Sequence, residues 1–237
     1  MFVPRAKKLR ACLRRRVPLV TLLLVGGALA AALGPGGSAL LIYDRQAILS
    51  GEIWRLFTGH WVHFSMSHLV YDSLALGLAG WMIEARRVRC FGVLCLLAPW
   101  IIGLALLVAC PNLRYYGGLS GLATCTLVYL ALDGLGDRSV WCGVCMLLLA
   151  GVAAKIFFEA RTGTMLFATI KSGTVEVATA SHVAGALTAL IFHASHRLYF
   201  GSASGPATET PKTSATERSR VSEGELSTLS CRVAASR

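Results

Sequence analysis

The sequence predicts an all-α polytopic membrane protein with six transmembrane helices, and three observations carry that reading. Of 237 residues, 55% are hydrophobic and only 15% charged, whereas an average soluble domain holds about 25% charged residues. The mean hydropathy is +0.62. Six apolar runs, most of them near the ~20 residues needed to cross ~30 Å of hydrocarbon, follow one another with polar breaks between them. No ten-residue stretch alternates polar with apolar side chains, so the spans are expected to be helical throughout rather than barrel strands.

The net charge of +11 has a topological meaning here. Residues 1–16 hold Arg5, Lys7, Lys8, Arg10, Arg14, Arg15 and Arg16, a basic arm that keeps the amino terminus in the cytoplasm. No nucleic-acid partner is expected. The first span runs from Val17 to about Gly34 and ends in Gly34-Pro35-Gly36-Gly37. With its basic start and Ala30-Ala31-Ala32 it imitates a cleavable leader, but it is long for a leader's apolar region and five spans follow, so it is expected to be retained. The mixed stretch Ser38 to Ser67 carries Trp54, Arg55 and Trp61, residues that belong at the membrane interface.

His68 to about Glu84 reads as the second span, followed by the basic group Arg86-Arg87-Val88-Arg89 on the cytoplasmic side. Cys90 to Cys110 is the third. After a short outer turn comes Tyr115-Tyr116-Gly117-Gly118-Leu119-Ser120-Gly121, which opens a fourth apolar segment reaching only to about Leu132. Bounded by Arg114 and Asp133, that segment is short for a full crossing, so it is expected to start below the membrane surface. Glycines around a serine suit an enclosed helix start, as they also suit a plain small-residue packing face. Val140 to about Phe158 is the fifth span, Glu159 to about Glu176 an outer loop, and Val177 to about Leu198 the sixth span. Three units result: a basic cytoplasmic arm (1–16), a six-helix membrane domain (17–200) and a disordered cytoplasmic tail (201–237) rich in Ser, Thr, Ala and Gly.

Six of the eight cysteines sit in or beside apolar runs and read as small buried hydrophobes. Cys142-Gly-Val-Cys145 has redox spacing but lies mid-helix without another soft ligand, and no metal or cofactor is expected. Ionisable groups inside spans are costly and seldom idle. His68 and Asp72 lie one turn apart on the second span, with His60 and His63 just before them; His182 lies in the sixth, one turn ahead of Gly185. Serine is inert until a base can take its proton, so Ser120 and His182 form a candidate nucleophile and base. Lys155 and Glu159, also one turn apart, are expected to form a structural ion pair.

These residues resemble the rhomboid intramembrane serine proteases over roughly 17–197. The matching pieces are Trp54-Arg55, His63 and His68, Gly118-Leu119-Ser120-Gly121, and Ser181-His182-Val183-Ala184-Gly185. The resemblance implies a six-helix rhomboid-like bundle and an intramembrane endopeptidase that cuts transmembrane protein substrates within the lipid bilayer. Ser120 would be nucleophile and His182 general base in a dyad with no third carboxylate. Gly118, Gly121 and Gly185 would support helix packing, and the Ser120 backbone N–H and His68 would stabilise the oxyanion. Paired tyrosines before Ser120 and the run from Lys155 to Glu159 most resemble the rhombosortase branch, whose substrates carry a carboxy-terminal Gly-Gly sorting tail. The setting expected is a bacterial inner membrane with both termini cytoplasmic.

One residue departs from the family pattern: Asp72 stands where rhomboids usually carry an oxyanion-donating asparagine. An ionised carboxylate only accepts hydrogen bonds. A protonated Asp72 could donate, an Asp72 paired with His68 could keep that imidazole charged, or the site could be impaired. The rival functions are an inactive rhomboid-like adaptor that binds helices without cutting them, and a small transporter.

Overall fold

The computed structural model describes residues 17–34, 37–86, 88, 90–137, 139–163 and 175–201. The basic arm, most of the tail and the greater part of the loop before the last helix lie outside the described residues. In chain order the elements are α1 (Leu19–Leu33), α2 (Gly37–Leu41), β1 (Tyr43–Asp44), α3 (Arg45–Leu49), α4 (Arg55–Thr58) and a 3₁₀ turn (Gly59–Trp61). Then follow α5 (Met66–Ala85), α6 (Phe91–Ala109), β2 (Tyr115–Tyr116), α7 (Ser120–Gly134), α8 (Val140–Thr162) and α9 (Val175–Gly201). The protein is overwhelmingly helical. α6 and α8 are long and apolar enough to cross a membrane, and α1 is a shorter apolar helix. The chain divides into a unit ending at His196 and one beginning at Arg197, of which the described part is the last turn of α9.

Local chemistry sets the helix ends. Ser65 caps α5, its Oγ accepting from the His68 N–H at 3.2 Å, and Ser139 caps α8 by accepting from Trp141. α8 stops at Gly163, whose left-handed φ of 64° lets its N–H reach the Glu159 carbonyl. One expectation is corrected here. The fifth helix does not end at Phe158, and Glu159 is no loop residue but a buried member of α8; its charge does not stop the helix because it is neutralised in place. Between the helices lies a short strand pair. Tyr43 and Asp44 pair antiparallel with Tyr116 and Tyr115, tying the stretch before α5 to the segment that leads into α7.

The bundle is apolar on its outer faces, and its largely apolar core also encloses a few polar groups. Leu74, Leu78, Leu96, Leu104, Leu147 and Leu187 are exposed on the outer faces. Thr124, Thr126, His68, Asp72, Glu159 and His182 are buried. The apolar outer face departs from a soluble surface and fits one bathed in lipid. The centre is α7, where every residue from Gly121 to Thr126 and from Val128 to Ala131 is buried. It packs on α5, α6 and α8. Arg55 organises the stretch before α5: buried, it donates to the carbonyls of Ala39 and Ile42, both at 2.9 Å, and to Glu52 at 2.7 Å.

Candidate active site

Ser120 is the first residue of the central helix, so its backbone N–H has no intrahelical acceptor and sits at the helix's positive end. The approach to it is held from three sides. Gly118 has φ +136°, a conformation that side chains resist. A Cβ there would also lie 2.6 Å from His68 Cε1 and 3.0 Å from its Nε2. Gly118 therefore belongs to the turn before α7 and to the seating of His68, rather than to helix–helix packing. The Tyr116 hydroxyl donates to the Gly118 carbonyl at 3.1 Å, and the Leu119 N–H donates to His63 Nε2 at 3.2 Å. Burial pushes the Tyr116 phenol upward in pKa, with the neighbouring Ser181 and Ser120 hydroxyls pulling the other way. It stays neutral and takes no part as a base.

Gly121 and Gly185 bring α7 and α9 together. A Cβ on Gly185 would run into the Gly121 carbonyl oxygen, and one on Gly121 would meet the Ser181 carbonyl at 3.0 Å. This close approach carries His182 to the Ser120 end of α7. Ser120, His182, His68, Asp72, Lys155 and Glu159 all line one cavity of about 130 Å³. At ~30 Å³ per water molecule, that is room for several. The described residues contain no cluster of His, Cys, Asp and Glu suited to a metal ion. The six cysteines in that part of the chain are free thiols, Cys142 and Cys145 included.

His68 is buried, and among the described residues neither of its ring nitrogens has a hydrogen-bond partner. Its Nε2 lies 3.1 Å from Asp72 Oδ2, too poorly aligned for a hydrogen bond. The same Asp72 oxygen is 3.3 Å from His63 Nε2, so the carboxyl sits between two imidazoles. His63 was read from the sequence only as a residue leading into α5. Its ring links the Trp61 carbonyl, 3.2 Å from Nδ1, to the Leu119 N–H just ahead of Ser120.

The residue that sequence reasoning passed over is Glu159. The expected pair with Lys155 is present, with Nζ 2.8 Å from Oε1. The other oxygen, Oε2, is 2.9 Å from His182 Nδ1. A carboxylate therefore does stand behind the histidine, although none was expected. The available signal was a charged pair one turn apart in an otherwise apolar helix, which surface pairing alone would not require. His182 Nε2, on the opposite side of the ring, is buried without a hydrogen-bond partner among the described residues.

Comparison with known proteins agrees with this architecture. The family model of the rhomboid domain matches residues 50–197, more than half of the chain. No curated protein matches.

Proposed function

The chain belongs to the rhomboid family, and on that premise we propose that it is an intramembrane serine endopeptidase with Ser120 as nucleophile and His182 as general base. The family and the apolar helices make it a membrane protein whose relatives are usually proteases acting on transmembrane substrates. One observation carries the residue assignment: the serine that opens the buried central helix shares a cavity with a histidine whose Nε2 has no hydrogen-bond partner. In the reading we favour, six helices cross the bilayer, both termini are cytoplasmic, and the cavity opens toward the outer half.

The chemistry follows from these positions. As Ser120 Oγ bonds to the scissile carbonyl carbon, its proton moves to His182 Nε2 and the carbonyl π pair moves to oxygen. The oxyanion meets the Ser120 N–H and the His68 imidazole, each such donor being worth ~2.7–4 kcal/mol in comparable sites. Collapse breaks the C–N bond, and Nε2 returns the proton to the departing amine. Water then attacks the acyl-enzyme by the same route, releasing the new carboxyl terminus and restoring Ser120. Gly121 and Gly185 hold the two side chains in register. Asp72 stands beside His68, where an asparagine amide would itself donate to the oxyanion. By resemblance to rhombosortases, the substrates are secreted proteins whose carboxy-terminal tail joins a Gly-Gly boundary to a hydrophobic helix and a basic end, processed at a bacterial inner membrane.

The test is labelling of the detergent-solubilised protein by a fluorophosphonate probe. Ser120→Ala and His182→Ala should each abolish labelling, a fall of roughly 10⁵-fold or more. Folded natural protein that takes no label would leave the adaptor as the better description.

A further inference from the structure

We infer that Glu159 is the positioning residue for the His182 imidazole, so that a serine, a histidine and a glutamate are assembled from α7, α9 and α8. The inference rests on the assignment of Ser120 and His182 proposed above. Its starting point is the 2.9 Å contact between Glu159 Oε2 and His182 Nδ1. An ionised carboxylate offers only lone pairs, so the contact is attractive only when Nδ1 carries a proton. That proton fixes the tautomer and leaves the lone pair on Nε2, the nitrogen with no hydrogen-bond partner.

Lys155 holds the carboxylate in place and stands close enough to Nδ1 to donate to it in the opposite tautomer. Its ammonium lies 2.8 Å from Oε1 and 2.9 Å from Oε2, and only then 3.1 Å from His182 Nδ1. An ammonium has donors alone and gains nothing from a protonated Nδ1, so the carboxylate is what holds it there. A purely structural pair on α8 would be complete within its own helix. Here the Glu159 and His182 side chains are 2% and 1% exposed, and the carboxylate faces a residue 23 positions away. Removing a carboxylate from water is costly unless its partners compensate. Lys155 compensates in the resting site, and the imidazolium formed during attack adds a second favourable charge. Glu159 keeps no proton in this scheme; the proton shuttles between Ser120 Oγ and His182 Nε2, while the carboxylate orients the ring and stabilises its cationic form.

The charged and titratable groups lining the cavity with His182 are Lys155 and Glu159 from α8 and His68, Tyr71 and Asp72 from α5. Among them Glu159 is within hydrogen-bond distance of the imidazole with an accepting atom. Its removal should therefore change the pH profile as well as the rate.

The experiment measures fluorophosphonate labelling rates of the full-length protein in detergent across pH, for the natural sequence, Glu159→Gln, Glu159→Asp, Ser120→Ala and His182→Ala, with thermal unfolding of each. Glu159→Gln should label on the order of 10²-fold more slowly or worse. Its acidic limb should move to lower pH, because an amide does not favour the imidazolium. Glu159→Asp should recover part of the rate and return the limb toward its natural place. ¹⁵N-histidine NMR of the natural protein, with His182 assigned by its loss in His182→Ala, should show Nδ1 protonated and Nε2 bare near neutral pH. A stable Glu159→Gln protein with a natural rate and an unmoved limb overturns the inference, as does the opposite tautomer in the NMR spectrum, which needs no Glu159 variant to fold. Labelling that survives Ser120→Ala would instead defeat the underlying assignment. Labelling lost in Ser120→Ala and His182→Ala but intact in Glu159→Gln would defeat the Glu159 role alone.

Discussion

The two ends of α5 use polar residues in opposite ways. At its last turn, Glu84 accepts from the Val20 N–H at 3.1 Å, the Thr21 N–H at 3.0 Å and the Thr21 hydroxyl at 2.6 Å, capping the start of α1 with a carboxylate. Arg86, just beyond, reaches Asp133 and Asp137 and lies over the Trp141 ring at 4.5 Å. At the other end, both His68 ring nitrogens lack hydrogen-bond partners and Asp72 stands between two imidazoles. Glu84 is half-buried and the Arg86 pairs are partly exposed, whereas His68 and Asp72 are buried, where polarity is costly unless it is bonded. Glu84 and Arg86 are bonded within the resting fold and serve stability. His68 is not, and buried polarity left open marks the place where a reaction would complete it.

The sharpest break in that contrast after the loss of Ser120 or His182 would come from Gly185→Val. The added atoms meet the Gly121 backbone, so α9 must move away from α7. Overpacking of this kind costs about 1–3 kcal/mol. Both probe labelling and the thermal midpoint should drop, since this contact serves structure and site together. Glu84→Ala tests the structural end alone: it leaves the start of α1 without its acceptor, at a cost of about 1.5–3 kcal/mol. The unfolding temperature in detergent should fall while the folded fraction labels at its natural rate; a lost rate in folded protein would show that the two ends are coupled.

A smaller effect is expected at His60, which lies in the 3₁₀ turn with Nε2 3.1 Å from the Pro99 carbonyl. Burial pushes its pKa down to about 4 from 6.5. The unfolded chain therefore binds a proton at this residue between those values while the folded chain does not. Stability from His60 is complete above about pH 6.5 and is lost as pH falls toward 4. Thermal unfolding in detergent should show that decline, and His60→Gln should flatten it. The smallest effect belongs to Asp72→Asn, which should leave labelling unchanged or raise it, because an amide donates where a carboxylate only accepts. Complete loss would give the carboxylate a role that asparagine does not fill.

Much of this protein was legible in the chain. Hydropathy and the absence of alternating strands predicted a helical membrane bundle, and the helices of the structure lie on the predicted apolar runs within a few residues, apart from the late start of α7 and the extension of α8. Ser120, His68, Asp72 and His182 were visible as polar residues in apolar surroundings, which lipid makes conspicuous. Other features were not legible. The β1–β2 pair is only two residues long on each side, too short for a period to register. Glu159 reads as a loop residue because its charge interrupts the apolar run, whereas the helix continues through it.

What the sequence determined by itself was therefore composition-borne: helix rather than strand, which runs are apolar, and where rare polar groups fall along them. Only the tertiary structure decided their company. The Gly121–Gly185 contact between helices more than sixty positions apart brings His182 toward Ser120, and the packing of α8 against α9 places Glu159 behind the imidazole. The reason is physical: burial of apolar surface is non-directional and can be read along the chain, whereas a hydrogen bond is defined by distance and angle between partners that only the fold brings together.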